Sequence, residues 1–287
     1  IFEDPNLCVK FSDVPSAGVE VLPGPISDGV APHMREPFHV ADDHEAVDVT
    51  ETLRESEADM LINYLPVGSA KGTEIYAKAA LDAGCAFVNC IPEFIASVPE
   101  KSAKFAKAGL PVAGDDIKSQ VGATILHRVM AELFYDRGVH IDSTYQLNIG
   151  GNTDFLNMTV ENRLKTKRIS KTEAVTSLIP YDVPTRIGPS DYVPFLEDHK
   201  ICYIRMNGQG FGDLPITVDV KLVVNDSPNS GGVVIDVIRA VKLALDRRIS
   251  GPLTSISSYA FKHPPTQVSD DIARNWVEDF IRGKKDR

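Results

Sequence analysis

From about Glu45 onward the apolar and polar positions become regular, without internal repeats. Residues 1–45 are irregular and rich in Pro and Gly, with one short strand expected at Leu7–Phe11. His44–Glu57 reads as a helix. Ala58-Asp-Met-Leu-Ile-Asn-Tyr-Leu65 is short and mostly apolar, as expected of a strand buried on both faces. Ser69 stands where it can cap the next helix, and Gly84 where it can end it. Cys85–Cys90 repeats the buried-strand pattern. Ser97 opens a helix ending near Gly109, and Leu110–Ala113 is a third strand. Strands and helices alternating in this way predict a parallel sheet with right-handed crossovers.

The rhythm changes after Ser119. A helix is expected over Val121–Arg137, with an apolar face that includes Val121, Ile125, Val129 and Leu133. Strands are expected at Ser143–Ile149, Cys202–Met206 and Ile216–Asn225. In the last of these, Ile216, Val218, Val220, Leu222 and Val224 alternate with Thr217, Asp219 and Lys221, a period of two. Such a sheet has one face that is wet or lies in an interface. These elements predict a separate antiparallel α+β layer. Helices over Ser230–Arg247 and near Ser269–Ile281 return to the first layer.

In open parallel sheets ligands bind beyond the carboxyl ends of the strands. Pro66-Val-Gly-Ser69, Ile91-Pro-Glu-Phe94 and Gly114-Asp-Asp116 are the loops expected there, so the architecture points to a nucleotide or cofactor site. Acidic residues outnumber basic ones 40 to 30. That balance argues against general nucleic-acid affinity but leaves room for a local basic site. No apolar run is long enough to cross a bilayer. The four cysteines form no CxxC pair and no zinc-like set, and read as free thiols of a cytoplasmic protein. No metal site is expected. The chain opens on Ile1, and a preceding segment is expected.

Several stretches carry candidate chemistry, each with a plainer alternative. In Thr166-Lys-Arg-Ile-Ser-Lys171 a helix would put Lys167 and Lys171 four apart on one face, a repulsive spacing that a shared anion would favour. A solvated face is the plainer reading. Gly114-Asp-Asp-Ile-Lys-Ser119 joins a strand to a helix, and its N–H groups with Lys118 and Ser119 could hold a phosphate. An acidic N-cap explains it too. Asn148-Ile-Gly-Gly-Asn-Thr-Asp154 leaves a strand through two glycines, which suits either close approach to a ligand or a simple turn. Asp198 and Lys200 share one side of an extended strand and form an ion pair at most. Asp226-Ser-Pro-Asn-Ser230 reads as a helix cap. Lys262 sits among aromatics and prolines, where burial would suit it to proton transfer; an exposed loop lysine is the plainer reading. His127 reads as a packed residue rather than a base. A GxGxxG loop is absent.

Taken together, these segments resemble the myo-inositol-1-phosphate synthases of archaea and actinobacteria. The residues that carry the resemblance include Asn63-Tyr-Leu-Pro-Val-Gly-Ser69, Phe87-Val-Asn89 and Phe94-Ile-Ala-Ser97. Gly114 through Thr124, Asn148 through Asn157, Ile169-Ser-Lys171, Ile187-Gly-Pro-Ser-Asp191 and Asp226-Ser-Pro-Asn-Ser230 continue it, over about residues 50–282.

The resemblance implies an isomerase that converts glucose 6-phosphate to inositol phosphate. Its NAD is reduced at C5 oxidation and regenerated after an aldol closure between C6 and C1. It implies an α/β fold, with a Rossmann-like NAD-binding domain incomplete at its N-terminus and an inserted α+β domain for catalysis and tetramerisation. The divisions expected are 1–118, 119–225 and 226–287. By the same resemblance Lys167, Lys171, Lys200 and Lys262 are active-site lysines that meet developing oxyanions, some with lowered pKa values. Asp116, Asp198 and Asp226 orient them. Ser119, Asn148, Gly150 and Lys171 match positions for the substrate phosphate, and Tyr76, Ser119, Asp154 and Lys167 positions near NAD. A homotetramer is implied. Two features depart from the family: the nucleotide loop and first strands are missing, and Gln120-Val-Gly-Ala123 replaces the Ser-Gly-Gln-Thr of eukaryotic members. The rival expectations are an NAD-linked sugar-phosphate dehydrogenase and a catalytically inactive, assembly-competent chain.

Overall fold

The computed structural model describes residues 15, 18–35, 44–159 and 165–287, without the side chains of residues 165–168 and 190. Four strands, β1 (Met60–Asn63), β2 (Ala86–Asn89), β3 (Pro111–Gly114) and β8 (Gly251–Pro252), run parallel in the order β1-β2-β3-β8. Every residue of β2 and β3 is buried, because helices cover both faces. On one face Phe87 and Val112 pack with Ala80 and Phe105, from α2 (Ala70–Ala83) and α3 (Pro99–Lys107), and with Leu53 of α1 (Val49–Glu55). On the other, Val88 and Ala113 meet Val237 and Val241 of α7 (Asp226–Asp246), Ile256 of α8 (Thr254–Ala260) and Phe280 of α9 (Asp270–Ile281). β8 and α8 are too short to leave a periodic signal in the sequence.

The helix ends show which local rules win. α1 starts later than expected, because the Asp48 carboxylate accepts from the N–H groups of Thr50 (2.8 Å) and Glu51 (3.1 Å) and fixes the start there. Gly84 ends α2 with φ 84°, as its position predicts. Ser69 precedes α2 without a side-chain cap bond. Asp28 does that work instead, accepting from Lys71 N (3.1 Å) and Gly72 N (2.7 Å). The strand expected at Leu7–Phe11 lies outside the described residues.

The second sheet has the order β5-β4-β6-β7, from β4 (His140–Gly150), β5 (Thr185–Tyr192), β6 (His199–Gln209) and β7 (Pro215–Asn225). It is mixed rather than wholly antiparallel, because β5 runs parallel to β4. β5 holds Gly188 and Pro189, which hide it from pattern reading. As an edge strand it tolerates a proline. α4 (Ala123–Asp136) and α6 (Lys165–Thr176) cover one face of this sheet, and the short α5 (Thr153–Asn157) follows β4.

The buried side of α4 is not the one expected. Val121, Val129 and Leu133 are 60%, 48% and 56% exposed, while Thr124, His127, Arg128, Ala131 and Phe134 face inward. A helix that is apolar on two sides docks by the side whose polar groups find partners. Here His127 and Arg128 both do.

Candidate active site

The loops at the carboxyl ends of the first sheet are held by a buried polar chain. Asn63, Asn89 and Gly114 are in register at the strand ends. Asn63 Nδ2 donates to Asn89 Oδ1 (2.9 Å) and Thr73 Oγ1 (3.1 Å), and Asn89 Nδ2 donates to Asp115 Oδ1 (2.7 Å). The Asp115 carboxylate also accepts from the N–H groups of Ile95, Ala96 and Ser97 and from the Ser97 hydroxyl. Burial pushes this carboxyl up and these donors work against it. Asp115 therefore anchors the loop after β2; it does not cap α4, whose N-cap is Gly122.

Asp116 follows with φ 61°, a left-handed conformation uncommon for a non-glycine residue. Its Oδ1 accepts from Lys262 Nζ (2.7 Å) and its Oδ2 from Ser170 Oγ (2.5 Å). Lys262 Nζ also donates to Ile117 O (2.7 Å). The backbones of 115–118 and 260–263 bond to one another at Asp115–His263, Lys262–Asp116 and Lys118–Ala260, which fixes where Lys262 emerges.

The second sheet supplies another lysine. Lys200, opposite Gly150 in β4 and Val224 in β7, places Nζ 2.9 Å from Asp226 Oδ1. Asp226 is the first residue of α7, which starts four residues earlier than expected. Asp198 does not pair with Lys200 among the described contacts. It accepts from Ser227 N (3.0 Å), Ser227 Oγ (2.6 Å) and Asn152 Nδ2 (3.0 Å), and so caps α7 and ties it to the turn after β4. The cap comes from Asp198, outside the Asp226–Ser230 motif.

Lys171 is buried on α6 and comes to the same place. A cavity of 270 Å³ is lined by Lys171, Lys200, Lys262, Asp116 and Asp226, with Ser119 and Asp154 on its wall. Tyr76 instead lines an adjoining, largely apolar cavity of 450 Å³, walled by Ile26, Val30, Met34 and Leu65. Asp154 and Tyr64 line both cavities. α6 is helical over Lys167 as well, but that side chain lies outside the described residues.

Other expected residues fall beside the cavity. Asn148 is fully buried and donates to Gly188 O (2.9 Å), and it accepts from Gln146 Nε2 (3.1 Å), which does line the cavity. A Cβ at Gly150 would meet the Phe155 ring at 2.4 Å, and one at Gly151 would meet Val193 O at 2.4 Å. The protein's own atoms account for both glycines. Lys118 points away from the cavity: it is buried and donates to Ser258 O (2.9 Å) and Tyr259 O (3.2 Å).

Sequence reasoning missed Ser170, Tyr64 and Gln146. For Ser170 a signal existed, since Ala174 four residues on marks the buried side of α6. Tyr64 lies near the buried Cys90 thiol, which burial chiefly pushes up to about 12.

His127 backs the same wall. Its Nδ1 lies 3.2 Å from Gln146 Oε1 and its Nε2 2.7 Å from Thr144 Oγ1. Burial pushes its pKa down to about 4. A depressed histidine stabilises the fold above its unfolded pKa of ~6.5, and that contribution is lost as pH falls toward the folded value. We expect the lost stability between pH 6.5 and 4 to reach about 3 kcal/mol. Urea midpoints across that range should fall less steeply for His127→Gln than for the parent; equal slopes would exclude His127 as the source.

The fold is a Rossmann-like parallel α/β sheet joined to an α+β layer, with a lysine-rich cavity where the two meet. Residues 122–227 match the family model described as Myo-inositol-1-phosphate synthase. The inositol-3-phosphate synthase of Corynebacterium glutamicum is 52% identical over 284 residues, covering 96% of this chain and 78% of the relative. That of Mycolicibacterium smegmatis is 52% identical over 290 residues, covering 99% and 80%. The chain belongs to the inositol-3-phosphate synthase family. Among solved structures, the crystal structure of Ari2 is 34% identical, with a TM-score of 0.70 over 96% of this chain and 76% of that one. The Caenorhabditis elegans inositol-3-phosphate synthase shares the fold at 18% identity, with a TM-score of 0.74 over 91% of this chain and 62% of that one.

Proposed function

We propose that the full-length protein converts D-glucose 6-phosphate into 1D-myo-inositol 3-phosphate as an isomerase, with NAD as a carrier that ends each turnover as it began. The observation that carries this reading is the convergence of Lys171, Lys200 and Lys262, from three separate stretches of chain, on one cavity. Enolisation at C6 and closure onto C1 put negative charge on oxygen at successive stages. Ammonium groups fixed in a water-poor pocket meet that charge with little reorganisation. Asp226 holds Lys200 and Asp116 holds Lys262, so neither lysine must be gathered when charge develops. A lysine of this set delivers the proton to O1 as C6 attacks. Ser119 and Lys171 line the wall we assign to the substrate phosphate. Asn148 stands behind Gln146 in that assignment, at the end of the strand that closes on Gly150.

The adjoining cavity fits the ring portion of NAD. Its walls are largely apolar, and a Cβ at Gly72 would come within 3.0 Å of Leu65 and fill part of it. Tyr76 and Asp154 are the residues that would hold the group, and Asp28 already fills the start of α2 with a carboxylate. When bound, NAD accepts a hydride from C5 and returns it. Asp154, shared by both cavities, supports transfer between neighbours.

The outer face of the second sheet supports assembly into a homotetramer, with Leu147, Tyr203 and Val223 exposed on it, and the exposed α4 side adds apolar area. The buried free thiols Cys85, Cys90 and Cys202 support a cytoplasmic setting. No described helix is long and apolar enough to cross a membrane.

The test is product analysis of the full-length protein with glucose 6-phosphate and catalytic NAD. Inositol phosphate without net NADH is the expected result. NADH build-up without inositol phosphate would replace this reading with a dehydrogenase, and no turnover despite NAD binding would replace it with an inactive relative.

A further inference from the structure

We propose that Ser170 is a positioning residue that fixes the Asp116–Lys262 pair and makes its geometry depend on docked α6; the inference rests on the function proposed above. Ser170 is completely buried, one residue before Lys171. Its hydroxyl donates to Asp116 Oδ2 at 2.5 Å, while Lys262 Nζ takes Asp116 Oδ1 at 2.7 Å. The carboxylate is thus held at both oxygens, by elements that are 54 and 146 residues away in sequence. Asp116 sits on a left-handed backbone, and a side-chain bond from α6 selects one rotamer of its carboxylate. α6 carries Lys171 into the cavity with the same turn of helix. When α6 is seated, Ser170 sets Asp116, Asp116 sets Lys262, and Lys171 arrives beside them. Ser170 does not line the cavity, and its hydroxyl reaches it through Asp116.

The experiment compares Ser170→Ala, Ser170→Cys, Asp116→Ala and the Ser170→Ala/Asp116→Ala double variant in the full-length protein, by inositol phosphate formed per enzyme. Ser170→Ala is expected to lower kcat about ten- to hundredfold, the worth of a hydrogen bond to a charged group, with KM for glucose 6-phosphate within about twofold. Ser170→Cys, a weaker donor of similar shape, should fall between Ala and the parent. In the Asp116→Ala background the Ser170→Ala change should cost almost nothing, because its target is gone. Wild-type kcat in Ser170→Ala, or losses that multiply in the double variant, would overturn the inference. If Ser170→Ala fails to fold, the same comparison runs with Ser170→Cys, alone and with Asp116→Ala. An inactive parent protein would instead sink the synthase reading, so the two failures are distinguishable.

Discussion

Replacing Lys262 by Ala is expected to lower kcat for inositol phosphate formation about a thousandfold, the upper scale of one lost oxyanion partner. Lys262 is mostly buried and its Nζ already has two oxygen partners at 2.7 Å, Asp116 Oδ1 and Ile117 O. Its backbone is fixed by the paired segments 115–118 and 260–263, so the ammonium group stays aimed at the cavity. Removal takes a prepositioned charge from the cavity and leaves the nearly buried Asp116 carboxylate without that partner. Both changes raise the barrier. Lys262→Arg should restore little, because a planar guanidinium cannot copy a compact ammonium held between two oxygens. Single-turnover product analysis, with NAD affinity measured alongside, gives the test. A Lys262→Ala enzyme within about tenfold of the parent would remove Lys262 from the chemistry.

The sequence made the parallel sheet legible because β1, β2 and β3 are short apolar runs separated by helices of ordinary length. Gly84 marked a helix end for the same local reason that operates in the fold, a left-handed residue closing α2. The lysines were legible only as members of ordered motifs; composition and spacing left Lys200 as a surface pair and Lys262 as a loop residue. What escaped depends on contacts distant in sequence. Asp28 caps α2 from more than forty residues away, and Asp198 caps α7 from 29 residues away. The docked side of α4 could not be read from apolar spacing, because that side carries His127 and Arg128, whose partners lie on β4, α6 and the start of α9. β5 was hidden by its own glycine and proline, and becomes a strand only because β4 offers an edge.

Those hidden contacts set the second large effect. Asp270→Ala should cost the fold about 3–5 kcal/mol at pH 7, the range for breaking a buried ion pair from one side. Asp270 lies at the start of α9 and holds two buried cations, Arg128 through Nε (2.8 Å) and Lys118 through Nζ (3.3 Å). Burial drives the Lys118 pKa down to about 8, with Asp270 opposing the fall and Arg128 adding to it. Without Asp270 the fall goes further. A lysine with a depressed folded pKa costs the fold most when it is charged, at low pH. That cost recedes as pH rises from about 8 toward its unfolded value of ~10.4. That recovery is common to parent and variant; the deficit of Asp270→Ala shrinks between pH 7 and 9.5 because Lys118, already neutral at lower pH in the variant, also becomes neutral in the parent as pH passes about 8. It should not vanish, because the buried Arg128 guanidinium still loses its carboxylate partner. Adding Lys118→Met should recover part of the loss at pH 7 and flatten its pH dependence. Arg128 also donates to Ala174 O of α6 and to Val268 O (2.6 Å), so the helix that brings Lys171 to the cavity leans on the same guanidinium. Activity in Asp270→Ala should accordingly fall at temperatures where the chain is still folded. Urea unfolding at the two pH values, with activity measured well below the midpoint, separates the two consequences. A deficit under about 1 kcal/mol would mean that the two cations find other compensation, and the cluster would no longer explain how α4, α6 and α9 are held together.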